Sequence, residues 1–545
     1  MWKKKTKIAV LIIGILIFAA LAYAQKEMSV EIIFSHDSGF YPDEFMLTIE
    51  GNDRYILRYT LDGSTPNATS LIYTEPIKIE DASTHENVYS SRTDVSPGFD
   101  DDSRGFVVPA DPVDKCSIVR VAQFDAEGTC VSEESRVYFV GFDEKSVYDD
   151  IWVVSIVTDP ANLFDPDTGI YVMGNIYENA EPADRWWVTD ANYRERGIEW
   201  EREAIVDIFA GQDKNHMESS EAGLRIRGNS SRALVKKSFS LYARSIYSGS
   251  DTFSIDYFEN GREPHKMALI SGGYNDQGSL KNWMAWKLAV ESDSDCATMQ
   301  MIPCALFLDG EYWGLYFLAE AYGKDYINIH YNVNEDDVIM YKNNKLEEGI
   351  DEDEVLYQYM QTYISENDMR VGEYYEEACN IIDMESFIDY YALEIYVGNM
   401  DWLPNNSAFW RTRDVDLQNA YYDGKWRYMF FDADNGNILQ NAEVDTITRA
   451  IEHDTVFASL IRNEKVQEML RERLWELQSI YEEHCDEWLD EWFNQLGDAV
   501  AQSRERYLGE NAVFEDFPQS TIDVMRDYPQ NRMEYLEQYM SESFK

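Results

Sequence analysis

Two stretches of the chain carry acids and amides into loops. In GNMDWLPNNSAFW (398–410), Asp401 stands five positions before Asn406, and Pro404 keeps the turn between them out of a helix. About one hairpin later, KWRYMFFDADNG (425–436) alternates aromatic and polar residues and then ends in Asp432, Asp434, Asn435 and Gly436. Carboxylates released where a strand stops can hold a hard divalent cation. Phosphoryl transfer needs such a set: one Asp to orient or deprotonate a hydroxyl, and oxygen ligands for Mg²⁺.

The interval from Asp401 to Asn406 is that of a protein-kinase catalytic loop, with Asn399-Met400 where His-Arg would stand. The same pair also suits a helix-terminating turn in which Asp and Asn cap their neighbours. A candidate anion site lies upstream in LRIRGNSSRALVKKSFSLYAR (224–244), where a Gly-Asn-Ser-Ser turn joins two strands and Lys236-Lys237 begin the second. Backbone amides and hydroxyls of such a turn can face phosphate. An ordinary hairpin with a solvated lysine pair reads equally well. The hairpin IPCALFLDGEYWGLYFLAE (302–320), turned by Asp309-Gly310, ends in Glu320, which could pair with a lysine across a site.

At 545 residues, 45% hydrophobic and 14% aromatic, the chain can fill more than one packed domain. Its formal charge is −54, which repels nucleic acid and anionic lipid and favours cationic proteins, neutral glycans or metal-bridged anions as partners. MWKKKTK, an apolar run and Ala22-Tyr23-Ala24 read as an export signal over 1–24, and removing its four lysines brings −54 to −58. A secreted or cell-surface protein without a membrane span after cleavage is therefore expected; an uncleaved anchor is the other reading, although the apolar run is short for a span. Export would permit disulfides, with Cys116 near Cys130 and Cys296 near Cys304 in sequence.

Residues 26–142 alternate apolar and polar positions between Gly, Asp and Pro turns, as an all-β domain does. Its polar, acidic stretch at 81–115 predicts a mobile loop. Within it, YTLDGSTPNATSLIYTEPIKI (59–79) resembles the C-terminal repeat of chitobiases and β-hexosaminidases, an immunoglobulin-like sandwich. From 150 to about 340 the pattern is β-rich. The segment 345–380 is acidic and helical, MESFIDYYALEIYVG (384–398) is a buried helix capped by Asp383, and helical spacing dominates after Gly436.

RGNSSR with KKSFSL, LKNW, LFLDGEYWGLYFLAE, GNMDW with NNSAFW, and KWRYMFFDADNG follow one another in the order seen in the CotH family, atypical secreted protein kinases of spore coats. The resemblance spans about 150–545. It implies a multidomain chain: the sandwich, then an α+β atypical protein-kinase-like domain with a helical C-terminal lobe. It further implies ATP and Mg²⁺ or Mn²⁺ as cofactors, with Asp401 as base, Asn406 and Asp432 as metal ligands and Asp434 as an additional one. Arg227, Ser230, Ser231 and Lys237, or its neighbour Lys236, would cradle phosphate, and Glu320 would partner the lysine. GxGxxG, VAIK and HRD are missing from the chain. The partner expected is a Ser-rich basic protein, with cell-wall glycan on the sandwich. The competing reading is a non-catalytic surface or coat scaffold, or a glycan-associated one, on a degenerate kinase fold.

Overall fold

The computed structural model describes residues 31–544 except 212–213, 255, 259–260, 262, 274–276, 434–437 and 510–516. The expected export signal and Asp434 lie outside the described residues. Among those described, no helix is long and apolar enough to cross a membrane.

The N-terminal region is strand-rich. A five-stranded sheet runs in the order Gly39–Tyr41, Cys130–Val140, Ser117–Phe124, Ile56–Thr60 and Leu71–Ile72, beside two short two-stranded sheets. Leu47, Ile79, Val119, Val121 and Tyr138 close the core between them. The opposite face of Cys130–Val140 sends Val137 and Phe139 into the larger core shared with the rest of the chain. This alternation follows from the two-residue period of a strand.

The next unit is a closed barrel. Its order is Trp152–Val157, Arg202–Ala210, Asn215–Arg227, Ser238–Tyr242, Lys266–Ile270, Glu311–Glu320 and Met301–Leu308, the last returning to Trp152–Val157 in parallel. Leu224, Ile226, Phe239, Leu241 and Leu318 fill its interior. Asp309 and Gly310 turn the 301–320 hairpin with φ of 45° and 85°, the doubly left-handed turn that Asp-Gly favours.

A second five-stranded sheet, in the order Ala297–Thr298, Arg427–Phe430, Ala408–Thr412, Val338–Lys342 and Lys345–Glu348, joins the barrel to a helical C-terminal region. Helix Met384–Val397 is buried at every residue from Ser386 onward, as its nearly continuous apolar sequence requires. Asp383 caps its start by accepting the Ser386 amide, and Gly398, with φ of 75°, ends it. A side chain at Gly398 would come within 2.9 Å of Val444. Helix Glu464–Leu508 runs for 45 residues and packs against helices and barrel alike.

One expectation is corrected. The 81–115 stretch is packed rather than mobile: the Val88 and Ser90 amides donate to Glu311 at 2.6 and 2.7 Å, the Ser96 hydroxyl to the Ala233 carbonyl at 2.6 Å, and the Val107 amide to the Tyr507 carbonyl at 3.0 Å. Two of its apolar residues, Val95 and Phe106, are buried against the barrel side despite the polar composition around them. All six cysteines are free. Cys130 pairs with Phe124, whereas Cys116 precedes Ser117 at the other end of the same strand pair; Cys296 directly precedes the strand Ala297–Thr298 of the second sheet, and Cys304 lies in the barrel.

Candidate functional site

Strand register decides which residues meet. Lys342 is opposite Ala408, and Ala408 is opposite Met429. One end of this sheet therefore gathers Lys342, the loop that reaches Ala408 from Asp401, and the turn that follows Phe430 toward Asp432. Ser407 and Asn343 fasten that end together, through an Asn343 amide to Ser407 carbonyl bond of 2.8 Å and a Ser407 amide to Asn343 side-chain bond of 3.3 Å.

The Asp401 loop is held from below. Asn399, fully buried, donates its carboxamide to Glu394 at 2.9 Å and accepts the Asp401 amide at 3.0 Å. Asn406 donates to the Asp401 carboxylate at 3.3 Å. Arg449 binds the carbonyls of Trp402 and Leu403 at 2.8 and 2.7 Å, and the Trp402 indole donates to the Tyr390 hydroxyl at 2.7 Å. The Leu403–Pro404 peptide is cis. Asn406 and Asp432 both take left-handed backbone, with φ of 55° and 66°, a cost of about 1–3 kcal/mol each that surrounding contacts must offset.

Asp432 is exposed and sits in an electrostatic cluster with Arg227 and Lys342. Burial holds the Lys342 ammonium down to about 8, Arg227 adds to that, and Asp432 opposes it. The same ammonium lies 4.3 Å from the centre of the Phe431 ring. Burial lowers the Arg227 guanidinium, again opposed by Asp432. Beneath them, burial pushes the Glu394 carboxyl well up; the Asn399 bond works against that shift, and the Asp432 charge adds to it. Glu394 Oε1 has no hydrogen-bond partner.

The sequence-derived residues thus divide. Asp401, Asn406, Asp432 and Arg227 gather around one sheet end, and Ser230 and Ser231 continue from Arg227 in a short 3-10 turn, Ser230–Ala233. Lys237 does not join them. Its ammonium is fully buried, donates to the carbonyls of Val95 and Leu234 at 2.9 and 2.6 Å, and lies over the Tyr171 and Tyr193 rings. Lys236 is equally buried and donates to Ser503 at 3.1 Å. Glu320 is bonded to His330 at 2.6 Å and to the Gln300 amide at 2.9 Å. Lys236 and Lys237 are thereby corrected from phosphate-facing residues to buried ones that donate to the protein's own groups. The lysine at the cluster is Lys342, and its sequence signal was a cation closing an apolar strand, VIMYK, directly before a left-handed Asn-Asn turn. Asn399 and Glu394 were likewise missed.

The donor set suits a hard cation. Asp432 offers a carboxylate, and Asn406 spends its amide nitrogen on Asp401, which leaves its carbonyl oxygen. Among the described residues no group of three or more His, Cys, Asp or Glu could hold a metal ion. One or two protein oxygens completed by phosphate and water is the usual arrangement for Mg²⁺.

The model of the family described as CotH kinase protein matches residues 224–536, more than half of the chain and all of the residues from Arg227 to Asp432 discussed above. The model of the chitobiase/β-hexosaminidase C-terminal domain matches residues 36–91. No curated protein matches the chain.

Proposed function

Because the chain belongs to the CotH kinase protein family, we propose that it is an exported atypical protein kinase, transferring the γ-phosphate of ATP to Ser or Thr of surface or coat proteins. The observation that carries this reading is the convergence of Asp401, Asn406, Asp432, Arg227 and Lys342 on one end of the second sheet.

Asp401 is the group that accepts the acceptor hydroxyl's proton, and Asn406 fixes the orientation of its carboxylate. Arg227 and Lys342 bring positive charge to phosphate oxygens, a local reversal of the chain's net −54. Asp432 and the Asn406 carbonyl oxygen would hold Mg²⁺ or Mn²⁺. That cation, when bound, neutralises charge on the transferring phosphoryl group. The N-terminal chitobiase-type domain would contact cell-wall glycan or coat material.

Incubation of the protein with γ-labelled ATP, Mg²⁺ or Mn²⁺ and a Ser-rich basic protein tests the reading. Label transfer by the wild type and not by Asp401→Ala supports it. Transfer insensitive to that substitution, or none under any condition, overturns it and leaves a coat or surface scaffold.

A further inference from the structure

A cavity of about 400 Å³ lies away from that cluster, between the Cys130–Val140 strand of the sandwich and the Asn215–Arg227 strand of the barrel. Its lining holds five carboxylates, seven hydroxyls, one apolar side chain and no base. Residues 218–221 contribute to it, and the six to nine residues from there to Arg227 correspond to roughly 20–30 Å of strand, so it is a separate site.

The carboxylates differ in what they already hold. Glu133 is paired with Arg120. Glu218 accepts the Ser254 amide and hydroxyl, both at 2.8 Å, and the Tyr257 hydroxyl. Glu221 is surrounded mainly by Glu203, Glu133 and Glu134, and burial together with these like charges pushes its carboxyl up, Arg120 offsetting only part. At the cavity wall, the Ser135 hydroxyl is buried, with its residue 4% exposed, and has no hydrogen-bond partner. An orphaned hydroxyl beneath a ring of acceptors is a position that a ligand's N–H groups would complete.

A bare metal ion does not fit, because no group of three metal-ligating side chains is close enough among the described residues. A sugar would find no aromatic face in the lining. We propose that this cavity binds an organic cation, an ammonium or guanidinium group carried either by a Lys or Arg side chain of a partner polypeptide or by a free diamine. Several donors on one positive centre satisfy Glu221 and Ser135 together, and the volume admits one long basic side chain.

The test uses the full chain, without nucleotide, in about 0.15 M salt so that diffuse attraction to an acidic surface is screened. Titration calorimetry compares 1,5-diaminopentane, a Gly-Ser peptide with a single Arg, and the same peptide with Gln in place of Arg. Saturable one-to-one binding of the diamine or of the Arg peptide, weakened about tenfold or more in Glu221→Gln and also in Ser135→Ala, is expected. The probe that binds identifies the source of the cation. Absence of saturable binding by both cations, equal binding of the Gln peptide, or an equal loss in a control carrying Glu483→Gln and Asp490→Asn on the distant long helix overturns the proposal. None of these variants touches the Asp401 cluster, so failure here leaves the kinase reading standing.

Discussion

Asn399 and Glu394 are joined at 2.9 Å in a fully buried contact, and the other end of the Asn399 carboxamide receives the Asp401 amide at 3.0 Å. A carboxyl group inside the Met384–Val397 helix region thereby sets where the Asp401 loop begins. Its position is fixed in turn by Arg532, which donates to the carbonyls of Ile395 and Tyr396 at the helix end.

Glu394→Gln keeps a carbonyl acceptor for Asn399 and exchanges only the second carboxyl oxygen for an NH2 group of similar size, so phosphoryl transfer is expected to fall little. Glu394→Ala leaves the buried amide unpaired and opens a cavity. A drop of about 2–4 kcal/mol in stability and a larger loss in kcat than in ATP affinity are expected, measured by denaturant unfolding and steady-state kinetics.

The two lysine environments separate binding from folding. Lys342→Met removes a charge from the cluster and should weaken ATP binding about tenfold or more with little change in melting temperature. Lys237→Met strips the partner from two buried carbonyls and should cost about 1–3 kcal/mol of stability while the folded fraction binds ATP normally. Thermal unfolding with and without ATP reads both; the reverse pattern would return the phosphate role to Lys237.

Asp401 and Asp432 should fail in different ways. Asp432→Ala, or chelation of divalent cations by EDTA, is expected to abolish the ATP-induced thermal shift. Asp401→Ala should retain that shift and lose transfer by about 10²–10⁴-fold.

Asp309 supplies a pH test remote from the chemistry. Its carboxyl is buried, accepts the Thr158 amide at 2.8 Å through Oδ1, leaves Oδ2 unpartnered, and is raised well above the usual range chiefly by burial. With a folded pKa above the unfolded one, its stabilising contribution is complete below about pH 4 and is lost as pH rises through the folded value. Asp309→Asn should therefore gain stability relative to wild type as pH increases from 4 to about 8, read as melting temperature against pH.

Local signals were enough for the elements that carry their own caps and turns. Asp383 and Gly398 bound the buried helix in sequence, and Asp309-Gly310 announced its hairpin. Closure of the barrel was not legible, because its parallel seam joins Trp152–Val157 to strands some 150 residues later. The site was half legible for the same reason. Asp401, Asn406 and Asp432 lie on neighbouring segments, but Lys342 reaches them only through a strand pairing across more than 60 residues. Lys236 and Lys237 stood beside a turn suited to phosphate, and only tertiary packing shows both buried.

The 45-residue helix Glu464–Leu508 bonds to the buried Met384–Val397 helix and to the barrel alike. Arg473 is paired with Asp389 at 2.7 Å and Gln478 accepts the Tyr396 hydroxyl at 3.0 Å on the helical side, while Arg506 and Tyr507 bind the Tyr312 and Trp313 carbonyls at 2.8 and 2.6 Å on the barrel side. From Gln478 to Arg506 is roughly 40 Å of continuous helix. Bolted to one rod at both ends, the Met384–Val397 helix and the 301–320 hairpin keep a separation set by that rod and shift against each other only as far as it flexes.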